Sequence, residues 1–566
     1  MFDELTGTAS QILHTKLGVH RKVSWRVPED PSHGDATTTV ALALAKELKK
    51  QPREVATILI EALSSSELLE KVEMAGAGYV NVWLKPEVLL KELNRTREAC
   101  VPKVAKKSDP PVIVEYSQPN IAKPLGAHHL LSTVIGQSIS NLHEHAGHPV
   151  IRWNYIGDWG TQFGKLAVAF TKWGSTSARE CSLDSLLSLY VRFHDEAERD
   201  ASLEDEAREA FRRLEEGDAK LRAFRDDVVA VTKASLGHIY ERLHVRFDLD
   251  LGEAFYNDKM EPVLEEGKKK GVFRVGEKGA LIVEFPSVSD LPVYVVLKGD
   301  GATLYSTRDI AQMRYRIDTY HPKGIFIVTD IAQKLHFQQL AATCKLLGWT
   351  LPDFENVLVG RMRFGDKSMS TRKGNILKLD EVLDEAVRRA DKVIEEHRET
   401  IQTDDRRDLA EMMGIGSVAY AILSQNRTMD IVFDWDKMLS FTGNSAPYLQ
   451  YTHARARSVL RKAAEEGISF SAVTEVASLT QAERILIRTL LLFPEIFADA
   501  LATHMPHKIA VFLYSLCQDF NAFYNKEPIL KADEHDRSLR LQLTADTAQV
   551  LATAASLLTL RLPDRM

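Results

Sequence analysis

Cysteine is scarce and scattered in this sequence. Its four cysteines, Cys100, Cys181, Cys344 and Cys517, form no CxxC pair. That argues against a zinc cluster or a disulfide framework and leads us to expect a reducing, cytoplasmic setting. Nowhere do about 18 apolar residues run together, so no membrane span is expected. The opening MFDELTGTAS lacks the basic-then-apolar pattern of a secretory signal. A surplus of positive charge is missing too, because 72 Lys and Arg against 79 Asp and Glu leave a net charge of −7. The global balance therefore does not point to nucleic acid, although a local basic patch can still bind phosphates. A Walker loop is absent as well: the nearest string, GVFRVGE (271–277), has Glu277 where the lysine would stand.

What is present is ordinary globular material, with 45% hydrophobic and 27% charged residues over 566 positions. That length suggests about three to four domains. Residues 1–95 mix helical stretches with a terminal strand, AGAGYVNVWL (75–84), and a charged, proline-containing linker, EACVPKVAKKSDPP (98–111), follows. From 111 the pattern alternates. VIVEY (112–116) is a continuous apolar run of the kind buried parallel strands show. Apolar residues at 131, 134, 135, 139 and 142 have helical spacing, and Gly147 is a stop for that helix. VIRWNYIG (150–157) is the next strand, which completes a βαβ unit. A charged helical insertion is expected over about 165–275, after which ALIVEFP (280–286), PVYVVLK (292–298) and GIFIVTD (324–330) read as further strands of the same sheet. The fold class is thus α/β: a Rossmann-like parallel-sheet domain over 111–400 with a helical insertion, an α+β N-terminal domain, and an all-α domain over 405–566. No internal repeat or low-complexity tract stands out.

Three clusters carry chemistry. In SQPNIAKPLGAHHLLST (117–133), His128 and His129 stand where strand turns into helix, with Lys123 just upstream. A helix N-terminus attracts phosphate, and imidazoles there add donors. KSMSTRKGN (367–375) joins Lys367, Arg372 and Lys373 to hydroxyls at Ser368, Ser370 and Thr371, a composition suited to gripping a polyphosphate. In LYSTRDIAQMRYRI (304–317), Ser306 or Thr307 can cap a helix, and Tyr305 and Asp309 can converge on one ligand. Each cluster also has a plainer role: local backbone pairing, a solvated basic loop, or a cap with a surface salt bridge.

Taken in order, these blocks resemble the class I aminoacyl-tRNA synthetases, and within them the arginyl-tRNA synthetases. AGAGYVNVWL looks like the end of that family's N-terminal tRNA-binding domain. VEYSQPNIAKP, NYIGDWGTQFG (154–164), FDLDLGEAFY (247–256), LYSTRDIAQ and QKLHFQQL (333–340) look like its catalytic blocks. NSAPYLQYTHARARSVL (444–460), FNAFYNKEPIL (520–530) and the final RLPDRM are similar to its helical anticodon-binding domain. The family's first signature, H-x-G-H, falls on Gly126-Ala127-His128-His129, so His129 matches the second histidine, Gly126 replaces the first, and His128 takes the glycine position. Its second signature, K-M-S-K-S, reads Ser368-Met369-Ser370-Thr371-Arg372. Lys123 stands where a lysine is thought to substitute for the signature's missing ones.

The resemblance implies an arginine–tRNA ligase. L-Arginine, ATP with Mg²⁺, and tRNA(Arg) would be its substrates. His129, His128 and Lys123 would be catalytic, and Gly126, His128, His129, Ser370, Arg372 and Lys373 would bind ATP. Glu115, Asn120, Tyr305, Asp309 and Gln333 would bind arginine, with Asp309 and Tyr305 on the guanidinium. Tyr448, Tyr451, His453, Arg455 and Arg457 are candidate tRNA contacts. No protein-only metal site and a monomer are expected. Two other readings stand beside this one. The exchanged Gly126 and His128 could mark a tRNA-binding relative that has lost amino-acid activation, and the sheet alone could serve a small-molecule adenylyl transferase.

Overall fold

In the computed structural model, residues 2–28, 30–174, 177–364 and 378–566 are described. The N-terminal domain packs α1 (Asp3–Leu17), α2 (Val40–Leu48), α3 (Pro52–Leu63) and α4 (Pro86–Ala99) with an antiparallel sheet of β1 (Ala36–Thr38), β2 (Leu69–Ala75) and β3 (Tyr79–Leu84) in the order β1-β3-β2. The stretch AGAGYVNVWL is therefore a strand end, a turn and a second strand.

The middle domain is built on a four-stranded parallel sheet in the order β10-β9-β4-β5, made of β4 (Val112–Glu115), β5 (Val150–Trp153), β9 (Gly324–Asp330) and β10 (Asp353–Val359). Helix α5 (His129–His145) crosses from β4 to β5, and Gly147 follows it with φ 85° as the expected stop. Helix α12 (Lys334–Leu346) crosses from β9 to β10 in the opposite lateral direction. Right-handed crossovers in opposite directions put their helices on opposite faces. Accordingly Val112, Val114, Phe326 and Val328 share a core with α5, whereas Ile113, Ile325 and Ile327 share one with α12 and α11 (Tyr305–Tyr320). Strand order reverses between β4 and β9, and ligands bind at the carboxyl ends of strands at such a reversal.

Between β5 and α11 lie α6 (Thr161–Trp173), α7 (Leu183–Ala197), α8 (Ser202–Glu216), α9 (Ala219–Arg242) and α10 (Met260–Lys269). A second sheet follows, with β6 (Arg274–Val275), β7 (Leu281–Val283) and β8 (Tyr294–Leu297). This corrects the sequence expectation for 280–286 and 292–298: these strands pair antiparallel with each other and do not join the parallel sheet. Five residues (287–291) separate the two predicted runs, whereas a parallel crossover needs about a dozen. The hydroxyls of Ser306 and Thr307 do not hold the N-cap position of α11, which Leu304 occupies; they donate to the carbonyls of Val295 and Val296 and so bolt α11 to β8.

The C-terminal half is helical as expected: α13 (Leu379–Glu396), α14 (Arg406–Leu423), α15 (Trp435–Met438), α16 (Ala446–Glu465), α17 (Gln481–Leu491), α18 (Phe493–Thr503), α19 (His507–Lys526) and α20 (Glu534–Leu557). One short strand interrupts it, β12 (Ile431–Phe433), parallel to β11 (Met362–Phe364). Among the described residues no helix is long and apolar enough to cross a membrane. The outer domains also meet: Arg484 donates to Asp35 at 2.6 Å and to Glu70 at 2.5 Å, and Arg97 holds Asp546 through two bonds of 2.6 and 2.7 Å.

A chain of imidazoles fastens the parallel sheet to the helical domain. His504 Nδ1 lies 2.6 Å from Glu355 on β10, His504 Nε2 lies 3.0 Å from His143 Nε2 on α5, and His143 Nδ1 lies 2.9 Å from His148 Nδ1. Lys323 closes the row 3.4 Å from His148 Nε2. With a carboxylate at one end and an ammonium at the other, three neutral rings fill every bond with one proton. Burial, then His504, His148 and Lys323, push the His143 pKa down to about 3. The unfolded chain binds a proton near pH 6.5 and the folded chain does not, so this stabilisation is complete above pH 6.5 and is lost as pH falls towards 3. The contribution approaches about 1.4 kcal/mol per pH unit. Urea unfolding between pH 7 and 5 should show a shallower loss of stability in His143→Gln than in the natural chain; parallel slopes would exclude His143 as the source.

Candidate active site

The loop leaving β4 is held in an unfavourable backbone. Ser117, Gln118 and Ala122 have φ of 73°, 54° and 59°, a left-handed region that side chains disfavour by roughly 1 kcal/mol or more each. Helix α9 of the insertion braces it: Tyr240 OH is 2.7 Å from Ser117 Oγ, and Thr232 Oγ1 accepts the Ala122 N–H at 3.1 Å. Asn120 pairs with Gly157, where a Cβ would stand 2.5 Å from Asn120 Oδ1, so only glycine lets the amide in. The loop thus passes over the ends of β4 and β5 and leads into the histidine corner.

At that corner His128 is the N-cap of α5 and His129 its first residue. The two rings lie 3.9 Å apart. The Gly126 N–H donates to His129 Nδ1 at 3.2 Å, while Gly126 O already accepts the His129 N–H at 2.9 Å. His129 Nδ1 also lies 3.3 Å from Gly126 O; the shorter contact, in which Nδ1 accepts, goes with the proton on Nε2. Burial and the neighbouring His128 lower the His129 pKa to about 4, so near neutrality the ring offers a hydrogen bond without a charge. His128, His129, Ser117, Gln118, Asp330 and Gln333 line one cavity of about 420 Å³, whose far wall is Gly360–Met362. Gly126 and Lys378 pair as well, and Leu379 N–H donates to Leu125 O at 2.8 Å. Both flanks of the second signature therefore reach this corner. Ser370, Arg372 and Lys373 themselves lie outside the described residues.

A second group of side chains is acidic. Asp309, in the first turns of α11, is 9% exposed, and Tyr305 one turn earlier is 61% exposed. His336 of α12 lies 2.6 Å from Asp309 Oδ2. Glu253 reaches the same neighbourhood from the insertion: its N–H donates to Ile156 O at 3.1 Å, and Asp158 accepts the Ala254 N–H at 2.9 Å. Gly252 makes that approach possible, since a Cβ there would come within 2.4 Å of the Ile156 carbonyl oxygen. Burial, with Asp309 and Asp158 adding and Arg308 opposing, raises the Glu253 pKa to about 7. Tyr155 is pushed well above the usual phenol range by burial and by Asp309, Glu253 and Glu115. Such a cluster of acceptors is matched by a cation, and most fully by a planar one with several N–H donors.

Not every predicted residue joins these two groups. Glu115 is 2% exposed and takes an ion pair from the fully buried Arg316, together with a 2.6 Å bond from Gln118. Its carboxylate is thus engaged by the protein, and its reach to the site runs through Gln118. Lys123 turns the other way, its ammonium 5.0 Å from the Tyr190 ring, and lines a separate small recess with Gln162 and Phe163. As placed it does not meet His129, because the insertion supplies an aromatic partner that no local pattern announced. On α16, Arg455 stacks on Tyr451 at 4.7 Å and on Tyr524 at 5.0 Å beside a cavity of about 430 Å³. Tyr448 accepts from Asn521 at 3.1 Å, and Arg457 pairs with Asp564 at 2.8 Å. His453 is buried, 5% exposed, and its Nδ1 lies 2.9 Å from Pro563 O, anchoring the C-terminal tail.

The sequence reading missed Glu253, Tyr155, Asp330 and His336 as site residues. Glu253, Tyr155 and His336 lie within the family blocks, and Asp330 ends the predicted strand GIFIVTD.

A parallel sheet with its strand reversal, a histidine corner on the first crossover helix and a long insertion define a class I synthetase catalytic domain. A family model described as "tRNA synthetases class I (R), catalytic domain" matches residues 93–435. Models for the "Arginyl tRNA synthetase N terminal domain" and the "DALR anticodon binding domain" match 8–84 and 449–566. The arginine–tRNA ligase of Fusobacterium nucleatum is 37% identical over 547 residues, 96% of each chain. That of Alkaliphilus metalliredigens is 37% identical over 553 residues, 95% of each. The solved arginyl-tRNA synthetase of Thermus thermophilus superposes with a TM-score of 0.81 at 27% identity, covering 100% of this chain and 99% of that one. This chain belongs to the arginyl-tRNA synthetase family.

Proposed function

We propose that this chain is an arginine–tRNA ligase working in two steps at the edge of the parallel sheet. In the first, a carboxylate oxygen of L-arginine attacks the α-phosphorus of ATP, and pyrophosphate leaves. In the second, the 3′-terminal ribose hydroxyl of tRNA(Arg), the 2′-OH by class I resemblance, attacks the carbonyl carbon of arginyl-adenylate, and AMP leaves. Neither step needs a protein nucleophile, so catalysis is alignment plus stabilisation of charge on the leaving group, pyrophosphate in the first step and AMP in the second. Mg²⁺ enters with the triphosphate as part of the substrate.

The observation that carries this reading is a cavity lined by His128 and His129 with a group of acidic side chains linked to it through Glu115, which accepts from Gln118 of the cavity and, with Asp309 and Glu253, surrounds Tyr155. His129 Nε2–H and His128 would donate to ATP. Asp309 and Tyr305, with Glu253 opposite, would hold the guanidinium. Asn120 and Gln333 would orient the α-amino acid end. Ser370, Arg372 and Lys373 would close on the phosphates. Tyr451 and Arg455 offer a stacking and charged surface for tRNA, and an enzyme of net charge −7 relies on such local patches.

Incubation with ATP, labelled arginine and total tRNA should give acid-precipitable arginine, and none would form from a tRNA-binding relative that had lost activation. Following the family's habit, pyrophosphate exchange should be negligible until tRNA is added. His129→Ala should lose arginyl-adenylate formation while its unfolding curve stays in place. An unimpaired single-turnover rate in that variant would remove His129 from the mechanism.

A further inference from the structure

We propose that His336 is a positioning residue for arginine selection, holding the Asp309 carboxylate in one plane and backing the Tyr305 ring. The proposal rests on the reading of Asp309 and Tyr305 as guanidinium contacts. His336 stands in the first turn of α12 and is 8% exposed. Its Nε2 lies 2.6 Å from Asp309 Oδ2, and its Nδ1 lies 3.1 Å from the hydroxyl of Tyr294 on β8. Its ring meets that of Tyr305 edge-on at 4.8 Å and 64°. One side chain therefore touches both candidate guanidinium contacts, and it joins α12, α11 and β8.

One arrangement of protons along this row keeps the imidazole uncharged. A carboxylate only accepts, so Nε2 carries hydrogen. Burial drives the Tyr294 phenol well above its usual pKa, so it keeps its proton and donates to Nδ1. The row reads Tyr294 O–H to His336 Nδ1, then His336 Nε2–H to Asp309 Oδ2. A neutral imidazole in this state fixes one carboxylate oxygen and leaves the negative charge intact. Among the described residues the other oxygen takes no hydrogen bond, and on this proposal the guanidinium binds it. A planar guanidinium is sensitive to the plane of that carboxylate, whereas an ammonium is much less so. His336 would thus sharpen the preference for arginine over lysine through another residue's orientation, without touching the substrate's reacting atoms.

The test compares His336→Gln, whose amide nitrogen reaches the place of Nε2, with His336→Asn, whose amide nitrogen takes the place of Nδ1. In aminoacylation assays with the full chain, His336→Asn should raise the KM for arginine about tenfold or more, as loss of a bond to a charged group does. Its KM for ATP and its kcat should stay within about threefold. His336→Gln should return the arginine KM to within about threefold of the natural chain. Tyr294→Phe, which drops only the hydroxyl, should fall between the two. An unchanged arginine KM in His336→Asn would overturn the proposal. So would equal damage to arginine KM, ATP KM and kcat in both His336 variants, the mark of a merely structural residue. Failure of the underlying reading looks different: the natural chain itself would then charge no tRNA with arginine, or Asp309→Ala would leave arginine KM unmoved.

Discussion

Alanine at position 309 should raise the KM for arginine by about a hundredfold or more while the KM for ATP moves less than about threefold. The size follows from what is removed. Asp309 is the carboxylate that α11 brings to the acidic group, and His336 fixes one of its oxygens. A charge-assisted pair with a guanidinium, formed where water is largely displaced, is worth roughly 3–5 kcal/mol when one partner is deleted. That converts to about 10² to 5 × 10³ in affinity. The effect should be confined to arginine, because the nucleotide side of the site is built from other elements, chiefly the α5 corner and the β9 end. Equal rises in both KM values, measured by pyrophosphate exchange in the presence of tRNA, would show that Asp309 supports the site as a whole and does not select the amino acid.

The second large effect concerns stability. Arg316 and Glu115 form an ion pair with 0% and 2% of their side chains exposed, and the guanidinium also lies 4.3 Å from the Trp153 ring. Replacing Arg316 by methionine leaves a carboxylate in the interior with only glutamine donors. Such a variant should lose about 3–5 kcal/mol of folding free energy. Adding Glu115→Leu to Arg316→Met should recover much of it, since a pair of apolar groups removes the buried charge altogether. The double variant also separates two roles for Glu115. If it is structural, stability returns and the arginine KM stays near normal. If it contacts arginine, stability returns but the KM stays high. Denaturant unfolding of the three chains decides the stability half, and a single variant within about 1 kcal/mol of the natural chain would mean the pair is not the anchor it looks like.

The readable parts of this molecule were those governed by local pattern. Helix α5 and the buried strands β4 and β9 announced themselves because parallel strands covered on both faces must be apolar throughout. The His129 corner and Asp309 were legible through the family motifs. Less legible was anything set by the insertion. Strands β7 and β8 were given to the wrong sheet, although five intervening residues already forbade a parallel crossover. The contact of Lys123 with Tyr190 of α7, 5.0 Å from ammonium to ring, has no local pattern to announce it, because the partner comes from the insertion. Glu253 opens a short 3-10 helix (Glu253–Lys259) inside FDLDLGEAFY, and that block has no periodicity to single it out. His336 stood in a family block without a role, since its partners Asp309 and Tyr294 are 27 and 42 positions away. On α16 a helical face had room for several RNA contacts, and only packing could tell that His453 points into the tail.

The bond between Arg484 and Asp35 spans 449 positions and has a kinetic meaning for synthesis. Asp35 is wholly enclosed in the finished molecule, and its carboxylate is raised in pKa by that enclosure even with Arg484 beside it. A ribosome adding about 5–20 residues per second delivers Arg484 roughly 20–90 s after Asp35. For that interval the newborn amino-terminal domain carries an acid whose counter-charge has not been made, and the last helices to emerge complete the first domain built.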